Sequence, residues 1–476
     1  MENLALSKYV KIVERPKDFA VYHSLFGQLC LLDSEGLSFL KSFQTPMTTD
    51  EARSKYSNYD QKELESYIDN FKSRYFLIPE GYEEYDIMKQ DMDYRKQNAS
   101  SGYLIRALQL VMSNTCNFKC KYCFVDNMYN SPERTEHQHS ESNKSMSFEV
   151  AKTAMEKLLA LLKKNGHQYI NVEFFGGEPL TNWETIKFVL ETFGNGTKGE
   201  VEILYSITTN GSLITKEMSE MFKKYGVSVV ISFDSPKSTD RVRLDGKSAL
   251  ELLIPKLGML REDNNWIAFN SVISKETIPN YDSKGLIDFA KQYGISMIGL
   301  ILDLDIEFYK DDCNKALVLD RLWETYSYSI NQGIPIAGYW HQIFNQIIGK
   351  QALLFNSGYK TCPATGCKLS VEPEGHVYIC KCCSGYIGEL NNFEEILASQ
   401  KYEDYAMRVY RNSPGCEGCE IDGFCSGVCM GSLEKKYHSL YGKETSSCEI
   451  FKGITRKLIT NVYEKEVSVM YMPKLV

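Results

Sequence analysis

Three closely spaced cysteines constrain this chain more than any other feature of its sequence. Cys116, Cys120 and Cys123 have the spacing Cys-x3-Cys-x2-Cys. An iron–sulfur cube takes four ligands, so three thiolates leave one iron open to a small molecule. The alternatives are a zinc site, since short cysteine spacings also suit zinc, and three buried structural thiols.

The chain around these cysteines alternates between strand-like and helix-like segments. The run Leu104–Met112 predicts a β-strand, and the cysteines lie in the loop that leaves it. Six strands alternating with helices predict a parallel sheet, but they are too few for a closed eight-stranded barrel. In such folds the chemistry lies in loops at the carboxyl ends of strands. The further predicted strands are Tyr169–Phe174, Val201–Ile207, Val227–Phe233, Trp266–Ile273 and Ser296–Leu302, and the predicted helices are Phe148–Lys164, Trp183–Phe193, Lys216–Tyr225 and Lys284–Tyr293.

The cysteine spacing and its position after a strand strongly resemble the radical S-adenosylmethionine (SAM) enzymes. The resemblance implies an α/β fold with a partial (β/α)6 TIM-like barrel. It also implies a catalytic 4Fe–4S cluster on Cys116, Cys120 and Cys123. In that family SAM binds the open iron and is cleaved reductively to a 5′-deoxyadenosyl radical.

Residues at other strand ends extend the resemblance to the SAM-binding site. Gly176, Gly177 and Glu178 belong to a Gly-Gly-Glu-Pro stretch that in the family holds the amino group of SAM. Glycines allow close backbone approach, and a carboxylate can accept hydrogen bonds from an ammonium group. Asn210 lies in a turn that neighbours the cofactor in the family, and Tyr122 stands where family members place aromatics near the adenine. A plain turn and ordinary core packing remain the alternatives for these positions.

The end of the fourth strand resembles the family element Ser-x-Asp-Gly-Pro…Asp-x-x-Arg. Ser232 and Asp234 match its beginning, although a serine replaces the glycine, and Asp240 with Arg243 matches its end. By the resemblance, Ser232 and Arg243 would engage the methionine carboxylate of SAM. Arg241 fits the spacing less well, and a surface salt bridge is the alternative for both arginines.

A second cysteine array lies in the last quarter of the chain. It reads Cys-x4-Cys, Gly-x4-Cys, then Cys-x2-Cys-x5-Cys-x3-Cys and a single last cysteine. This pattern resembles the C-terminal SPASM domain of radical SAM enzymes and implies two auxiliary 4Fe–4S clusters. Zinc and disulfides are the alternatives. The family pattern assigns one cluster to Cys362, Cys367, Cys380 and Cys429, and the other to Cys416, Cys419, Cys425 and Cys448.

Four cysteines are left over from these groups. Cys30 lies in an apolar run and is expected to be a buried hydrophobic residue. Cys382 and Cys383 lie close enough to Cys380 to compete as ligands, and we interpret them, with Cys313, as spectators.

Composition narrows the class of protein. Fifteen cysteines without a signal peptide argue against a secreted disulfide scaffold. The oxygen-sensitive clusters that the resemblance implies would require a reducing cytoplasm. No apolar run approaches the roughly 20 residues of a membrane span. The net charge of −8, from 54 basic and 62 acidic residues, argues against a nucleic-acid partner recognised by bulk charge.

The sequence divides into four predicted regions. Residues 1–98 combine short strands with three helices and loosely resemble a winged-helix-like leader-peptide recognition module, with a structural cap on the barrel as the alternative. Residues 99–310 are the predicted barrel, 311–360 a helical bridge with helices Ala316–Ile330 and Trp340–Lys350, and 361–476 the SPASM domain. An acidic connector, Gly81–Asn98, precedes the barrel. A polar loop, Asn127–Lys144, carries Glu133, Glu136, His137 and His139, which are expected to be solvated.

The resemblance implies a radical SAM maturase that modifies a ribosomally made precursor peptide with a leader. Hydrogen abstraction would form a carbon–carbon or thioether cross-link, the auxiliary clusters would accept an electron, and flavodoxin or ferredoxin would donate one. One alternative is an anaerobic sulfatase maturase, but Lys381 stands where those enzymes commonly carry an aspartate base. Another is a non-catalytic electron-transfer or scaffold protein. Asp303, Asp305 and Glu307 end the sixth strand without a defined role, and the sequence names neither the peptide nor the bond.

Overall fold

The computed structural model describes residues 2–124, 144–196, 200–245, 247–303, 307–350, 362–382, 385–408, 416–442 and 446–472. Several residues singled out from the sequence lie outside this described part: Glu133, Glu136, His137, His139, Asp305 and Cys383. None of the described helices combines the length and the apolar character needed to cross a membrane.

The N-terminal region packs three helices against an antiparallel meander. Local signals begin each helix: Asp33 accepts a hydrogen bond from the Gly36 N–H, Thr48 and Glu51 form a capping box, and Asp60 caps the third helix. Strands β2, β3 and β4 pair in order, and β1 pairs with β5. The elements are β1 (Leu4–Leu6), β2 (Val10–Glu14), β3 (Phe19–His23), β4 (Gly27–Leu32), α1 (Ser34–Ser42), α2 (Thr49–Lys55), α3 (Gln61–Ser73) and β5 (Leu77–Pro79).

A helix, α4 (Tyr85–Ala99), lies where the sequence predicted only an acidic connector. Its few buried residues include Met88, Arg95 and Ala99. Glu84, which precedes the helix, is 1% exposed and contacts His23 of the N-terminal region. Tertiary contacts at both ends therefore hold a helix whose surface is mostly polar.

The centre of the molecule is a parallel sheet with helices in the connections, as the sequence predicted. The order β11-β10-β9-β8-β7-β6 is sequential, and every pair within it is parallel. This confirms the partial barrel of six β/α units. The elements are β6 (Ala107–Ser113), α5 (Phe148–Lys164), β7 (Tyr169–Gly176), α6 (Trp183–Phe193), β8 (Glu202–Thr209), α7 (Lys216–Lys224), β9 (Ser228–Ser232), α8 (Ala249–Glu262), β10 (Ile267–Ile273), α9 (Ser283–Gln292) and β11 (Met297–Leu302).

The C-terminal half extends this sheet at both edges. Strand β12 pairs with β11, while β13 pairs in parallel with β6, the strand that leads into the cysteine loop. The elements are α10 (Asp312–Gln332), β12 (Ile336–Ala337), α11 (Tyr339–Ile347), β13 (Lys368–Val371), β14 (His376–Tyr378), β15 (Tyr386–Glu389), α12 (Phe393–Ala398), α13 (Gln400–Ala406), α14 (Met430–Tyr437), α15 (Ser446–Thr460) and β16 (Ser468–Met470). The cysteine-rich region is thus fixed to the barrel by main-chain hydrogen bonds.

The last strand returns to the beginning of the chain. β16 pairs in parallel with β4, with Ser468 opposite Cys30 and Met470 opposite Leu32. The Tyr67 hydroxyl of α3 donates to the Met470 carbonyl at 3.3 Å. The N-terminal sheet therefore has four strands, one of which comes from the opposite end of the sequence.

Burial alternates along the barrel strands and defines their two faces. In β7, Ile170, Val172 and Phe174 are buried against the helices, whereas Glu173 and Phe175 are only half-buried. Successive side chains of a strand point to opposite faces, so the half-buried residues line the inner face of the barrel. That face carries the polar groups of the candidate site.

Candidate active site

The three closely spaced cysteines lie in the loop that follows β6. The Phe118 N–H donates to the Cys116 Sγ at 3.4 Å, and the Cys123 N–H donates to the Cys120 carbonyl at 3.1 Å. Burial raises the pKa of Cys116 to about 12, and the neighbouring Cys120 and Cys123 add to this effect. Burial likewise raises the pKa of Cys120 to about 11. Metal ligation deprotonates such thiols, because the metal supplies the compensating charge.

The geometry of the thiols bears on which metal they suit. Among the described residues, no three histidine, cysteine, aspartate or glutamate side chains converge closely enough to hold a single metal ion. A cube of four irons spreads its thiolates more widely than a single ion does, since each thiolate binds a different iron. Three thiolates of the cysteine loop would serve a cube of this kind and leave its fourth iron open.

The segment after β9 runs alongside this loop. The Lys119 N–H donates to the Val242 carbonyl at 2.7 Å, and the Lys121 N–H donates to the Asp240 carbonyl at 3.0 Å. The side chains of Lys121 and Asp240 also form an ion pair at 2.8 Å. Arg243 pairs with Phe118 through the backbone, but its guanidinium contacts Asp245 and donates to the Ser248 carbonyl at 3.4 Å. Asp240 and Arg243 thus brace the loop by their backbone.

Arg241, which sequence spacing disfavoured, has its side chain at the cysteine loop. Its Nε lies 3.1 Å from the Asp234 Oδ2, and the Tyr122 hydroxyl donates to the same oxygen at 2.5 Å. The Arg241 guanidinium also lies over the Tyr122 ring at 5.5 Å, and its charge acts on Cys120. Asp234 is 2% exposed and accepts the Val272 N–H at 3.1 Å. Only the close approach of two loops creates this group, so spacing alone does not predict it.

The Gly-Gly-Glu-Pro stretch packs on the base of the cysteine loop. A Cβ on Gly176, whose φ is +145°, would lie 2.2 Å from the Ser113 carbonyl oxygen, and one on Gly177 would lie 2.4 Å from that of Thr115. The Gly177 N–H donates to the Ser113 carbonyl at 2.8 Å. Glycine is required here for contact between two stretches of protein backbone.

Glu178 lies beneath this turn rather than at an open surface. It is fully buried and accepts hydrogen bonds from the Thr209 hydroxyl at 2.6 Å, the Asn210 N–H at 2.8 Å and the Leu180 N–H at 3.1 Å. Burial raises the pKa of Glu178 to about 7, although these hydrogen bonds act to lower the pKa. The carboxylate therefore fixes the Asn210 turn. The Asn210 Nδ2 lies 4.0 Å from the Cys116 Sγ.

Ser232 ends β9 and faces the half-buried side of the sheet. It pairs with Asn270 of β10 in the strand register. It lies two residues before Asp234, on the same side of the barrel as the cysteine loop.

The second cysteine array forms two groups in space. Burial raises the pKa of Cys362 to about 12, and the neighbouring Cys380 and Cys429 add to this. Burial also raises the pKa of Cys448 to about 12, with contributions from Cys425, Cys416 and Cys419. Seven of the eight predicted auxiliary ligands thus lie near other members of the group to which the family pattern assigned them.

The eighth predicted ligand, Cys367, contacts an arginine, and one further thiol, Cys382, lies beside the first group. Cys367 is buried, and its Sγ accepts a hydrogen bond from Arg95 at 3.7 Å. The Cys382 N–H donates to the Cys380 Sγ at 3.5 Å, which places Cys382 next to a proposed ligand. Cys30 is buried, as expected, and Cys313 is exposed.

Lys381 links the cysteine-rich region to the cysteine loop. It is 1% exposed, and its Nζ lies 2.6 Å from the Glu372 Oε1 and 3.1 Å from the Asn114 Oδ1. Asn114 precedes Cys116 by two residues. Burial lowers the pKa of Lys381, while Glu372 opposes the shift.

The acidic residues after β11 take structural roles where the structure describes them. The Asp303 N–H donates to the Ile273 carbonyl at 3.0 Å, and its own carbonyl accepts the Tyr309 hydroxyl at 2.9 Å. Glu307 forms ion pairs with Lys310 at 2.9 Å and with Lys436.

Comparisons with known proteins agree with this geometry. Residues 110–252 match the family model of the radical SAM superfamily. The chain is 39% identical, over 96% of both chains, to the radical SAM cyclopropyl synthase TigE of Paramaledivibacter caminithermalis. Two solved structures share the fold. One is native anSMEcpe with bound AdoMet and Cp18Cys peptide, with a TM-score of 0.58 at 19% identity, covering 75% of this chain and 99% of that one. The other is Streptococcus suis SuiB bound to the precursor peptide SuiA, with a TM-score of 0.51 at 17% identity, covering 94% of this chain and 100% of that one.

Proposed function

Because this chain belongs to the radical SAM superfamily of enzymes, we propose that it modifies a precursor peptide by forming a carbon–carbon bond that closes a cyclopropane ring. The similarity to TigE, a cyclopropyl synthase, over nearly the whole length of both chains carries this proposal. The bound peptides of the anSMEcpe and SuiB structures support a peptide as the substrate. Of the two bonds that the sequence left open, the similarity favours carbon–carbon over thioether.

Each part of the site has a proposed task. Cys116, Cys120 and Cys123 would hold the SAM cluster, which when bound supplies the 5′-deoxyadenosyl radical. The backbone of Gly176 and Gly177 would receive the amino group of SAM, while Ser232 and Arg243 would receive its carboxylate. Glu178 and Asn210 position the loop that carries Cys116. The Tyr122, Asp234 and Arg241 group would shape the neighbouring wall, where the adenine is expected.

Ring closure removes two hydrogens from the peptide. One leaves as a hydrogen atom to the adenosyl radical, giving 5′-deoxyadenosine. The other leaves as a proton to solvent together with one electron. The cysteines of the second array would hold the clusters that supply an acceptor for this electron. An external donor such as flavodoxin or ferredoxin would reduce the SAM cluster for the next turnover.

Lys381 disfavours the sulfatase-maturase alternative. The resemblance places an aspartate base at this position in those enzymes, whereas the buried Lys381 ammonium is paired with Glu372. A cation in an ion pair does not accept the substrate proton. The paired lysine instead ties β13 and β14 to the cysteine loop.

The N-terminal region is proposed to recognise the leader of the precursor. In the four-stranded sheet, β2 is an end strand, and Ile12 at its centre is 39% exposed. An extended peptide that adds to such an edge gains main-chain hydrogen bonds. The proposed partner is therefore a leader segment in a β conformation.

The test uses anaerobically reconstituted protein with SAM, dithionite and synthetic peptides that correspond to short open reading frames found beside the gene. We expect 5′-deoxyadenosine by chromatography and a peptide mass lower by two hydrogens, at one residue located by tandem mass spectrometry. The Cys116→Ala variant is expected to give neither product, and Cys313→Ala, at an exposed cysteine, is the matched control. If the Cys116→Ala variant released as much 5′-deoxyadenosine as the wild type, the assignment of Cys116 to the SAM cluster would be wrong. A peptide that gained the mass of oxygen, or that carried a new carbonyl group, would contradict cyclopropane formation.

A further inference from the structure

A guanidinium is buried beside Cys367, one of the predicted auxiliary ligands. Arg95 of α4 is 0% exposed. Its Nε donates to the Ala406 carbonyl at 2.5 Å, and its Nη2 donates to the Thr365 carbonyl and to the Cys367 Sγ, the latter at 3.7 Å. Its Nη1 has no hydrogen-bond partner among the described residues. Every partner of this guanidinium in the described part of the chain is thus a neutral oxygen or a thiol.

Burying a guanidinium in this way costs free energy of folding unless a negative charge lies nearby. An isolated ion loses its hydration in a protein interior, and a carbonyl dipole compensates only part of that loss. A neutral Cys367 thiol adds little to the compensation. A thiolate of an iron–sulfur cluster at the same place would supply both a charge and an acceptor for the arginine.

A second buried guanidinium lies near the same group of thiols. Arg408 is 1% exposed and donates to the carbonyls of Ser426 and Val428, each at 2.9 Å. These carbonyls flank the turn that leads to Cys429. The Cys362 N–H donates to the Ser426 hydroxyl at 3.1 Å, which places Arg408 next to the segment that carries Cys362. Two buried arginines thus lie around this group.

The second group of auxiliary thiols has different surroundings. Next to Cys419, the carboxylate of Glu420 pairs with Arg456 at 2.7 Å, so the charge of this arginine is already compensated. The two groups therefore differ in their electrostatic environment. Positive charge and hydrogen bonds to sulfur raise the reduction potential of a cluster.

We propose that Arg95 is the counter-cation of the cluster held by Cys362, Cys367, Cys380 and Cys429, and that it raises the reduction potential of this cluster above that of the other auxiliary cluster. The proposal rests on the proposed function, which assigns clusters to these thiols. A cluster with four thiolates is anionic and gains one further negative charge on reduction, so a fixed cation favours the reduced form. This cluster is then the acceptor of the electron that the peptide releases.

The experiment measures potentials without SAM or peptide. A background chain with Cys116, Cys120 and Cys123 replaced by alanine lacks the SAM cluster, so an anaerobic redox titration followed by electron paramagnetic resonance reports the two auxiliary clusters. Arg95→Gln removes the charge. We expect the higher of the two midpoints to fall by at least about 59 mV, which is a tenfold change for one electron, and the lower midpoint to stay unchanged.

Lys96→Gln is the matched control, since Lys96 is the next residue on the same helix, is 64% exposed and pairs with Glu403 at the surface. It is expected to move neither midpoint. Unchanged midpoints in Arg95→Gln, or equal shifts of both, would overturn the proposal. If the Arg95→Gln variant loses iron, the charge-conserving variant Arg95→Lys tests the proposal instead. The proposal requires Arg95→Lys to keep the wild-type iron content, and loss of iron from this variant overturns it. Background protein that binds no auxiliary iron would instead refute the cluster assignment itself.

Discussion

At the scale of single residues, the side chains around the cysteine loop are held by the protein itself. Glu178 accepts three hydrogen bonds from the protein, and Asp234 accepts from Tyr122, Arg241 and the Val272 backbone. These bonds cross from one strand end to the next. Positioning of the loop is therefore built from buried acids.

Replacing Glu178 with glutamine tests this positioning role. The amide group would turn an N–H donor toward one of the donors that the carboxylate now satisfies, the Asn210 N–H or the Thr209 hydroxyl. A buried donor left without a partner costs about 1–3 kcal/mol, so we expect a loss of that size in the free energy of unfolding. Urea titration measures it.

The control for this variant is Glu184→Gln, at an exposed position of α6 just beyond the same turn. It is expected to leave the free energy of unfolding within about 0.5 kcal/mol of wild type. Equal stability of the Glu178 and Glu184 variants would show that the buried carboxylate does not hold the turn.

At the scale of elements, α4 shows how tertiary contacts override a weak local signal. Its sequence is polar and acidic, and no side chain caps its start. Glu84, at that start, accepts from the His23 Nε2 at 2.9 Å, while the His23 Nδ1 accepts the Leu25 and Phe26 N–H groups, each at 3.2 Å. The neutral imidazole therefore joins α4 to the N-terminal sheet.

The state of His23 predicts a pH dependence of this junction. Burial lowers the pKa of His23 from its ordinary value of 6.5, and Glu84 opposes the shift. Because the pKa of His23 is lowered in the folded protein, His23 binds a proton more readily in the unfolded chain. The stability that the neutral imidazole contributes is therefore complete above about pH 6.5 and is lost as the pH falls. We expect faster hydrogen exchange in α4 at pH 5 than at pH 7, after correction for the intrinsic rate.

The His23→Gln variant is expected to lose this pH dependence because glutamine does not titrate. The control is His376→Gln, since His376 is 36% exposed and lies on β14, away from α4. If α4 of the wild type exchanges equally at both pH values, His23 does not govern the junction.

At the scale of the whole molecule, two pairings join distant parts of the chain into one unit. β13 continues the barrel sheet next to β6, and β16 completes the N-terminal sheet next to β4. The first pairing fixes the auxiliary cysteines relative to the cysteine loop. The second ties the proposed peptide-recognition region to α15, the helix that carries Cys448.

Deleting residues 468–476 tests the second pairing. Met472 is 8% exposed and packs with Met470 on the core formed by α1, α3 and β4. Burying one methionine side chain contributes roughly 1.5–3 kcal/mol, so we expect a comparable loss in the stability of the N-terminal region. Hydrogen exchange by mass spectrometry should show β4 and α3 exchanging faster, while β6 to β11 stay protected.

A shorter deletion, of residues 473–476, keeps β16 and is the control. It is expected to leave exchange in β4 unchanged. Exchange in β4 that is the same in both deletions would mean that the last strand adds nothing to the N-terminal sheet.

The sequence by itself determined the repeating architecture and the chemistry. Apolar periodicity predicted the six barrel strands, and cysteine spacing predicted the trio after β6, because these features are local along the chain. The division of the later cysteines into two groups came from the resemblance to the SPASM domain. Only the tertiary structure decided that the Arg241 side chain reaches Asp234, that Glu178 is buried, and that β16 joins β4. Each of these features depends on segments that are far apart in the sequence and meet in the fold. The role of a buried charged side chain depends on the partners that tertiary packing places beside it, and the local sequence does not specify those partners.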